Sequence, residues 1–257
     1  MNFELPFIPQ RSAKPRQKGL TMVMDKGLSL NEAANMADAS AEYIDFVKLG
    51  FGTSLITNKL REKIELYKQA GIRPYLGGTL FELFVIRGLF DDFVRFVDSL
   101  GLDLVEVSDG SMKMDHQQKC AYIAQLAKRY TVISEVGSKQ ANVVIPDNEW
   151  VRMMAEELKQ GAWKVIAEAR ESGNTGIYNN DHSANTKLIG DIAQHVGMDN
   201  VIWEAPLKSQ QAWFIKQLGA EVNLGNIATN EAIALETLRL GLRGDTFFMH
   251  LPENLKQ

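Results

Sequence analysis

Six short hydrophobic runs of this chain end in the same way, and no other feature of the sequence constrains the fold as much. Each run finishes in a charged or amide residue that is followed closely by Gly, Ser or Pro. The runs are DFVKLGFG, LVEVSDGS, VISEVGSK, VIAEARESG, VIWEAP and VNLGNI. In parallel strands such polar ends would collect at one rim, which is where α/β barrels carry their chemistry. The residues placed at that rim are Lys48, Glu106, Glu135, Lys139, Glu168, Arg170, Glu204 and Asn226.

Hydrophobic periodicity divides the chain into alternating strand-like and helix-like segments. Strands are predicted at 20–25, 44–49, 73–76, 104–107, 132–135, 165–168, 201–204 and 222–224. Helices are predicted at 30–40, 57–70, 83–100, 115–130, 148–160, 184–196, 208–218 and 231–240. Eight parallel strands joined by right-handed crossovers favour a (β/α)8 TIM barrel, with an open doubly wound sheet as the main competing topology. No GxGxxG motif follows the first strand, which weakens the dinucleotide-binding form of that open sheet.

No linker divides this pattern, so we expect a single barrel domain over 1–257, in which 1–18 form an N-terminal extension. Several helix ends carry their own signals: Thr57, Asp115 and Asp147 are predicted to cap helix N-termini. The first residues contain Pro and basic side chains but no apolar core of signal-peptide length. No later run approaches the roughly 20 apolar residues of a membrane span. We therefore expect a cytoplasmic protein.

Composition narrows the classes of partner. The formal net charge of -4 and the absence of a Lys/Arg cluster argue against general nucleic-acid binding, so a small anionic substrate would need a local positive site. Cys120 is the only cysteine, which excludes an intrachain disulfide and favours a reducing compartment. It falls in a predicted amphipathic helix, where a single Cys is usually packing material rather than a nucleophile.

The segment SEVGSK is the sharpest candidate for chemistry. Glu135 ends an apolar strand, and a flexible Gly turn then brings up Lys139. Such a pair suits an acid/base or metal-assisted site. Its alternative interpretation is an ion pair at the barrel rim beside a solvated loop lysine, and the spacing alone does not identify a reaction.

Four glutamates end strands whose interiors are otherwise apolar: Glu106, Glu135, Glu168 and Glu204. Carboxylates that converge in a low-dielectric site oppose one another's ionisation unless a cation is present. Mg²⁺ fits better than Zn²⁺, because the cluster supplies oxygen and no His/Cys ligand pattern accompanies it. We expect one or two of these side chains to contact the metal and the others to be structural partners.

Two glycine-containing segments are candidates for phosphate binding. ARESGNTGI supplies Arg170, Ser172 and Gly173, and VNLGNIATNEAI places Gly225 and Asn226 before a predicted helix. An arginine, backbone amides and the positive end of a helix together suit a phosphate group. The alternative is that the glycines only permit tight turns.

At these residues the chain resembles the phosphosulfolactate synthase family. The resemblance runs from about residue 14 to 248, through DFVKLGFGTS, GGTLFE, SEVGSK, ARESG, WEAP and ALETLRLGLRGDTF. It implies a (β/α)8 barrel and a carbon–sulfur lyase that adds sulfite to phosphoenolpyruvate with Mg²⁺ to give (2R)-3-sulfolactate 2-phosphate. It also implies a step towards coenzyme M or sulfolactate, and self-association into a homo-oligomer.

The same resemblance assigns roles to the candidate residues. Lys139 matches the lysine of the family's SEVGxK motif and is the expected general acid, and Lys48 is expected to join it in catalysis. Lys48 and Arg170 would position anionic groups. Ser172, Gly173, Gly225 and Asn226 are the other candidates for substrate binding. Glu135, Glu168 and Glu204 are the candidate metal ligands.

Two other functions stay open from the sequence. A plant heat-stress branch shares this framework, so a non-catalytic stress or interaction protein is one alternative. Retention of Lys48, Glu135, Lys139 and Arg170 together counts against it. A Schiff-base aldolase that uses Lys48 or Lys139 is the other, because strand-end lysines also serve that chemistry.

Overall fold

Eight strands alternate with helices in the computed structural model, which describes residues 2–138, 145–169 and 172–256. The strands are β1 (Thr21–Asp25), β2 (Phe46–Leu49), β3 (Arg73–Leu76), β4 (Leu104–Val107), β5 (Thr131–Val136), β6 (Ala162–Ala167), β7 (Val201–Glu204) and β8 (Leu224–Ala228). The described α-helices are α1 (Leu30–Ser40), α2 (Leu60–Gln69), α3 (Gly78–Val85), α4 (Phe90–Ser99), α5 (His116–Leu126), α6 (Asp147–Lys159), α7 (Thr186–Ile192), α8 (Lys208–Leu218) and α9 (Ala232–Arg239).

All eight strands pair in parallel, in the order β3-β2-β1-β8-β7-β6-β5-β4. Each strand lies beside its neighbours in sequence, the last strand β8 pairs with β1, and the two ends of the sheet, β3 and β4, lie side by side, so the sheet is a nearly closed barrel. This confirms the predicted (β/α)8 TIM barrel and excludes the doubly wound sheet, whose strand order reverses part-way.

The seam between β3 and β4 is the one place in the described barrel where adjacent strands share no ladder. The N–H groups of Arg73 and Gly77 bond to the segment containing β2, so position 74 points its N–H towards β4. That position is Pro74, which has no N–H to donate. Pro74 therefore removes one of the backbone hydrogen bonds that could join β3 to β4.

The barrel interior is apolar towards the amino-terminal ends of the strands and charged at their carboxyl-terminal ends. Its apolar layers form one buried cluster of Leu20, Met22, Phe46, Tyr75, Leu104, Ile133, Ile166 and Ile202. Strand side chains alternate between faces, so the residue two positions further along also points inward. On five strands that next residue is charged: Lys48, Glu106, Glu135, Glu168 and Glu204. The alternation thus delivers these side chains to the carboxyl-terminal mouth of the barrel.

The predicted helix 83–100 is wrong as a single element, because the structure has α3 and α4 in its place. Gly88 takes a left-handed φ of 70° and the N–H of Leu89 turns back to the carbonyl of Phe84, which ends the first helix. α3 also begins earlier than predicted, at Gly78, with Gly77 as a cap that has no side chain. A glycine pair resembles a loop in the sequence and so concealed this start.

Of the three helix N-caps predicted from the sequence, one is confirmed. Asp115 caps α5 by accepting from the N–H groups of Gln117 and Gln118, as predicted. The cap prediction for Thr57 is wrong, since its hydroxyl donates to the carbonyl of Thr53 and α2 begins three residues later. Asp147 is the first residue of α6 rather than its cap.

Part of the predicted N-terminal extension packs against the amino-terminal end of the barrel. The Arg16 guanidinium lies 3.1 Å from Asp45 Oδ1, and the other carboxylate oxygen of Asp45 accepts from the N–H of Thr21 at 2.8 Å. The extent of the domain over 1–257 stays a prediction. Within the described residues, every helix falls short of the length and apolarity needed to cross a bilayer.

Candidate active site

A buried lysine stands at the centre of the barrel mouth. Lys48 Nζ lies 2.9 Å from Glu106 Oε1, 2.9 Å from Glu135 Oε2 and 3.9 Å from Glu204 Oε1. These residues come from four different strands, so only the closed barrel brings them together. Lys48 is 5 % exposed, and its ammonium is therefore screened from bulk water.

The electrostatic balance at Lys48 favours a permanent cation. Burial opposes the charged form, but attraction from Glu106 and Glu135 outweighs it and raises the pKa of Lys48 well above its ordinary value of 10.5. A Schiff-base nucleophile must be a neutral amine. The arrangement therefore suits Lys48 to binding a negative charge and disfavours Lys48 as the nucleophile of the aldolase considered from the sequence.

The three predicted metal-ligand residues meet beside Lys48. Glu135, Glu168 and Glu204 each present a carboxylate oxygen, and these oxygens lie within 4.8 Å of one another. All three side chains are buried, at 1 %, 3 % and 2 % exposure. Three buried carboxylates this close favour a nearby positive charge, and an all-oxygen donor set would suit Mg²⁺.

A cavity of about 430 Å³ opens from this cluster to the surface. Its walls include Lys48 and the three clustered glutamates, together with Met24, Thr79, Ser111, Ser172 and Asn226. A space of this size lies within the range of small-molecule sites. The combination of a fixed cation, convergent carboxylates and a cavity makes this mouth the candidate active site.

Backbone amides hold two of the glutamates in position. Glu106 Oε1 accepts from the N–H of Gly78, the first residue of α3, at 2.5 Å. Glu204 Oε2 accepts from the N–H of Ala169 at 2.8 Å. A helix N-terminus favours a carboxylate, so the Glu106 contact also satisfies one of the unpaired N–H groups of α3.

Steric contacts explain why the SEVGSK segment has a glycine at position 137. Gly137 has a φ of 141°, and a Cβ there would lie 2.4 Å from the Cβ of Glu168. Only glycine therefore lets β5 pass so close to the residue that follows β6. The motif positions Glu168 as well as Glu135, which the sequence alone did not indicate.

The predicted strand 222–224 lies too early in the sequence, because β8 begins at Leu224 and contains Gly225 and Asn226. β8 contains a β-bulge here. Thr21 pairs with Leu224 but Val23 pairs with Ile227, so β8 has one more residue than β1 between these two pairs. Asn226 takes the left-handed φ of 56° at this bulge, which Asn tolerates better than most residues. Its amide donates to the carbonyl of Ala169 at 3.2 Å and lines the cavity.

The two phosphate-binding candidates that follow β6 are placed differently. Ser172 lines the cavity, and its hydroxyl donates to Asn174 Oδ1 at 2.5 Å. Gly173 takes a φ of 64°, and its carbonyl accepts from the amide of Gln210 on α8 at 2.7 Å. Ser172 can therefore reach a ligand, whereas Gly173 anchors this segment to α8. Gly225 faces the barrel interior, where a Cβ would lie 2.8 Å from Met22.

Lys139 and Arg170 lie outside the described residues, so their roles as general acid and phosphate ligand stay predictions. Of the described residues near them in sequence, Glu135, Ala169 and Ser172 line the cavity.

Sequence reasoning assigned no role to Glu82, although it lies in the quoted GGTLFE segment. Glu82 is 3 % exposed; its Oε1 accepts from the hydroxyl of Ser108 at 2.5 Å and its Oε2 from the N–H of Ser111 at 2.7 Å. It therefore fixes the loop that carries Ser111 into the cavity wall. The sequence offered one signal for this role, which is a glutamate among the apolar residues of α3.

Comparison with known proteins decides the family. The family model described as (2R)-phospho-3-sulfolactate synthase (ComA) matches residues 9–245. The chain belongs to this family. The phosphosulfolactate synthase of Bacillus subtilis is 42% identical over 245 residues, which cover 94% of this chain and 97% of the relative. That of Methanothermobacter thermautotrophicus is 39% identical over 244 residues, which cover 93% of this chain and 95% of the relative.

More distant matches carry less information. The Arabidopsis thaliana protein HEAT-STRESS-ASSOCIATED 32 is 21% identical over 260 residues, covering 89% of this chain and 88% of the relative. A crystal structure of 3-hexulose-6-phosphate synthase superposes with a TM-score of 0.54 at 19% identity, covering 86% of this chain and 98% of that one. At that identity the likeness shows the barrel fold alone.

Proposed function

We propose that this protein catalyses the addition of sulfite to phosphoenolpyruvate to give (2R)-3-sulfolactate 2-phosphate, in a Mg²⁺-dependent carbon–sulfur lyase reaction in the cytoplasm. Membership of the phosphosulfolactate synthase family supports the reaction class. The observation that carries the proposal is the glutamate cluster beside Lys48 in the mouth cavity.

Charge balance supports the metal requirement. The described mouth holds four carboxylates, Glu106, Glu135, Glu168 and Glu204, against one ammonium. Even with the positive charges of Lys139 and Arg170, formal negative charges outnumber positive ones. Both proposed substrates are anions, and anions do not enter a negative, low-dielectric cavity readily. A divalent cation reverses that balance.

The residues present fit Mg²⁺. Glu135, Glu168 and Glu204 would hold it, because their oxygens converge and hard cations prefer oxygen ligands. When bound, Mg²⁺ supplies neutralisation of the negative charge that develops on the substrate carboxylate.

The chain's own groups account for the remaining chemistry. The sulfur lone pair of sulfite forms a bond to the methylene carbon of phosphoenolpyruvate, and the π electrons of the double bond shift towards the carboxylate. The adjacent carbon then takes a proton, for which Lys139 is the predicted donor. Lys48, a fixed cation, offsets the charge that builds during the first step. No group leaves, so the product keeps the phosphate.

The direct test is a sulfite-dependent assay. Purified protein should consume phosphoenolpyruvate only when both sulfite and Mg²⁺ are present, with the product identified by ³¹P NMR and mass spectrometry. Addition of a chelator should stop turnover, and fresh Mg²⁺ should restore it. Absence of the sulfonated product under these conditions would overturn the proposal, and turnover after chelation would remove the metal from it.

A further inference from the structure

A second group of metal-ligating side chains lies away from the barrel mouth, where α5 packs against α6. His116 and Cys120 are one turn apart on α5, and Glu156 faces them from α6. One ligand atom of each lies within 4.8 Å of the other two. A surface pocket of about 310 Å³, lined in part by Cys120 and Glu156, gives solvent access to them. None of the three residues lines the mouth cavity.

The separation of the sulfur and nitrogen atoms suits a tetrahedral ion. Cys120 Sγ lies 3.9 Å from His116 Nε2. Bond lengths of about 2.3 Å for Zn–S and about 2.0 Å for Zn–N, at a tetrahedral angle, place the two ligand atoms ~3.6 Å apart. A shift of a few tenths of an ångström therefore suffices to bind an ion between them.

The surroundings of His116 match those of a metal ligand. Nδ1 lies 3.1 Å from Glu156 Oε2, and Nε2 lies 3.3 Å from Glu157 Oε1. Ligating histidines almost always donate the N–H of their other ring nitrogen to a carboxylate or carbonyl group. With Nε2 on the ion, Nδ1 keeps its contact with Glu156 Oε2, which leaves Oε1 of Glu156 as the ligand atom of that residue.

Neighbouring cations hold these carboxylates in place. Arg152 Nη1 donates to Glu156 Oε2 at 2.8 Å, and Lys119 Nζ lies 2.9 Å from Glu157 Oε1.

We propose that His116, Cys120 and Glu156 form a binding site for a borderline-soft divalent cation of the Zn²⁺ class. One nitrogen, one sulfur and one oxygen favour Zn²⁺ over the hard Mg²⁺ ion. Three protein ligands leave the fourth position of a tetrahedral ion to water. The ion would link the first two turns of α5 to the last turn of α6.

Cobalt titration of the intact protein tests this site separately from the mouth. Cys120 is the only cysteine, so a sulfur-to-cobalt charge-transfer band in the near ultraviolet reports on it alone. In metal-stripped protein with excess Mg²⁺, we expect this band to saturate at one Co²⁺ per chain and to disappear on addition of Zn²⁺. Zn²⁺ should also raise the melting temperature.

Matched variants locate the site. Glu156→Gln on the half-exposed α6 face and His116→Gln should each weaken Co²⁺ binding by more than about tenfold. His195→Gln, at an exposed histidine, and Glu135→Gln, in the mouth, should leave the titration unchanged. Absence of the band in the wild-type protein overturns the proposal. A band that neither Glu156→Gln nor His116→Gln weakens overturns it too, since it would show a thiolate binding cobalt alone.

Discussion

Two buried lysines of this barrel, each within 2.9 Å of two carboxylates, have different roles. Lys48 pairs with Glu106 and Glu135 and faces the mouth cavity. Lys119 lies 2.9 Å from both Asp109 and Glu157, and donates to the backbone carbonyl of Glu135 at 2.6 Å. It lies behind β5, against α6, and does not line that cavity.

The difference between Lys48 and Lys119 shows that a buried ion pair does not by itself identify an active site. Attraction from carboxylates outweighs burial at both lysines and raises the pKa of each. The pKa therefore cannot separate them, whereas access to a ligand-sized cavity can. The two are also linked, since Glu135 bonds to Lys48 by its side chain and to Lys119 by its carbonyl.

The largest effect should follow from Lys48→Met. We expect turnover per folded molecule to fall about 10³-fold, because the variant removes a preorganised cation where negative charge develops. The measurement is the sulfite-dependent rate at saturating substrate, normalised to the folded fraction from circular dichroism. A rate within threefold of wild type would place Lys48 with Lys119 as a purely structural cation.

Lys119→Met should reverse the pattern. We expect the free energy of unfolding to fall by about 3 kcal/mol, because Glu157 would be left buried without its cation. Turnover per folded molecule should stay within about threefold of wild type. Urea unfolding and the same assay measure the two quantities, and a catalytic loss as large as that of Lys48→Met would abolish the distinction.

A pair of isosteric changes separates the two clusters by their metal dependence. Glu135→Gln removes a proposed ligand, so the Mg²⁺ concentration for half-maximal rate should rise by more than about tenfold. Glu157→Gln, in the Lys119 cluster, should leave that concentration unchanged. An equal shift in both variants would show that Mg²⁺ acts through general electrostatics rather than through the mouth glutamates.

The smallest effect concerns pH. Burial opposes ionisation of Glu157, but the charge of Lys119 and nearby hydrogen bonds outweigh it and hold the pKa of Glu157 below its usual 4.5. Its stabilisation is therefore present above that value and is lost as pH falls through the lower, folded-state pKa. The raised pKa values of the lysines act in the opposite direction, with stability lost only in strong alkali. Urea unfolding from about pH 3 to 6 should show a shallower acid loss in Glu157→Gln than in wild type.

The sequence predicts most of the barrel because its signals are local. Apolar strands that end in charged residues alternate with amphipathic helices, and parallel strands must gather those ends at one rim. Lys48, Glu135 and Glu204 therefore lie where the pattern predicts, and Glu168 follows its strand by one residue.

What the sequence concealed depends on contacts between distant segments. The start of α3 at Gly78 depends on Glu106, which is 28 residues away and accepts its N–H. The bulge at Asn226 depends on the register between β8 and β1. Pairing of Lys48 with Glu106 and Glu135 rather than with solvent follows from barrel closure. None of these contacts has a periodicity that a single sequence displays.

The seam between β3 and β4 connects the stability of the barrel to the residues of its mouth. With Pro74 unable to donate, side chains bridge the gap: Arg73 bonds to Asp103 at 3.0 Å near the base, and Glu106 bonds to Gly78 near the rim. The rim contact also carries the partner of Lys48. A ligand that drew Glu106 away from Gly78 would remove one of the bonds across this seam, and one that reinforced the contact would strengthen it. Amide hydrogen exchange along β4 would therefore register events in the cavity that the fully laddered strands do not.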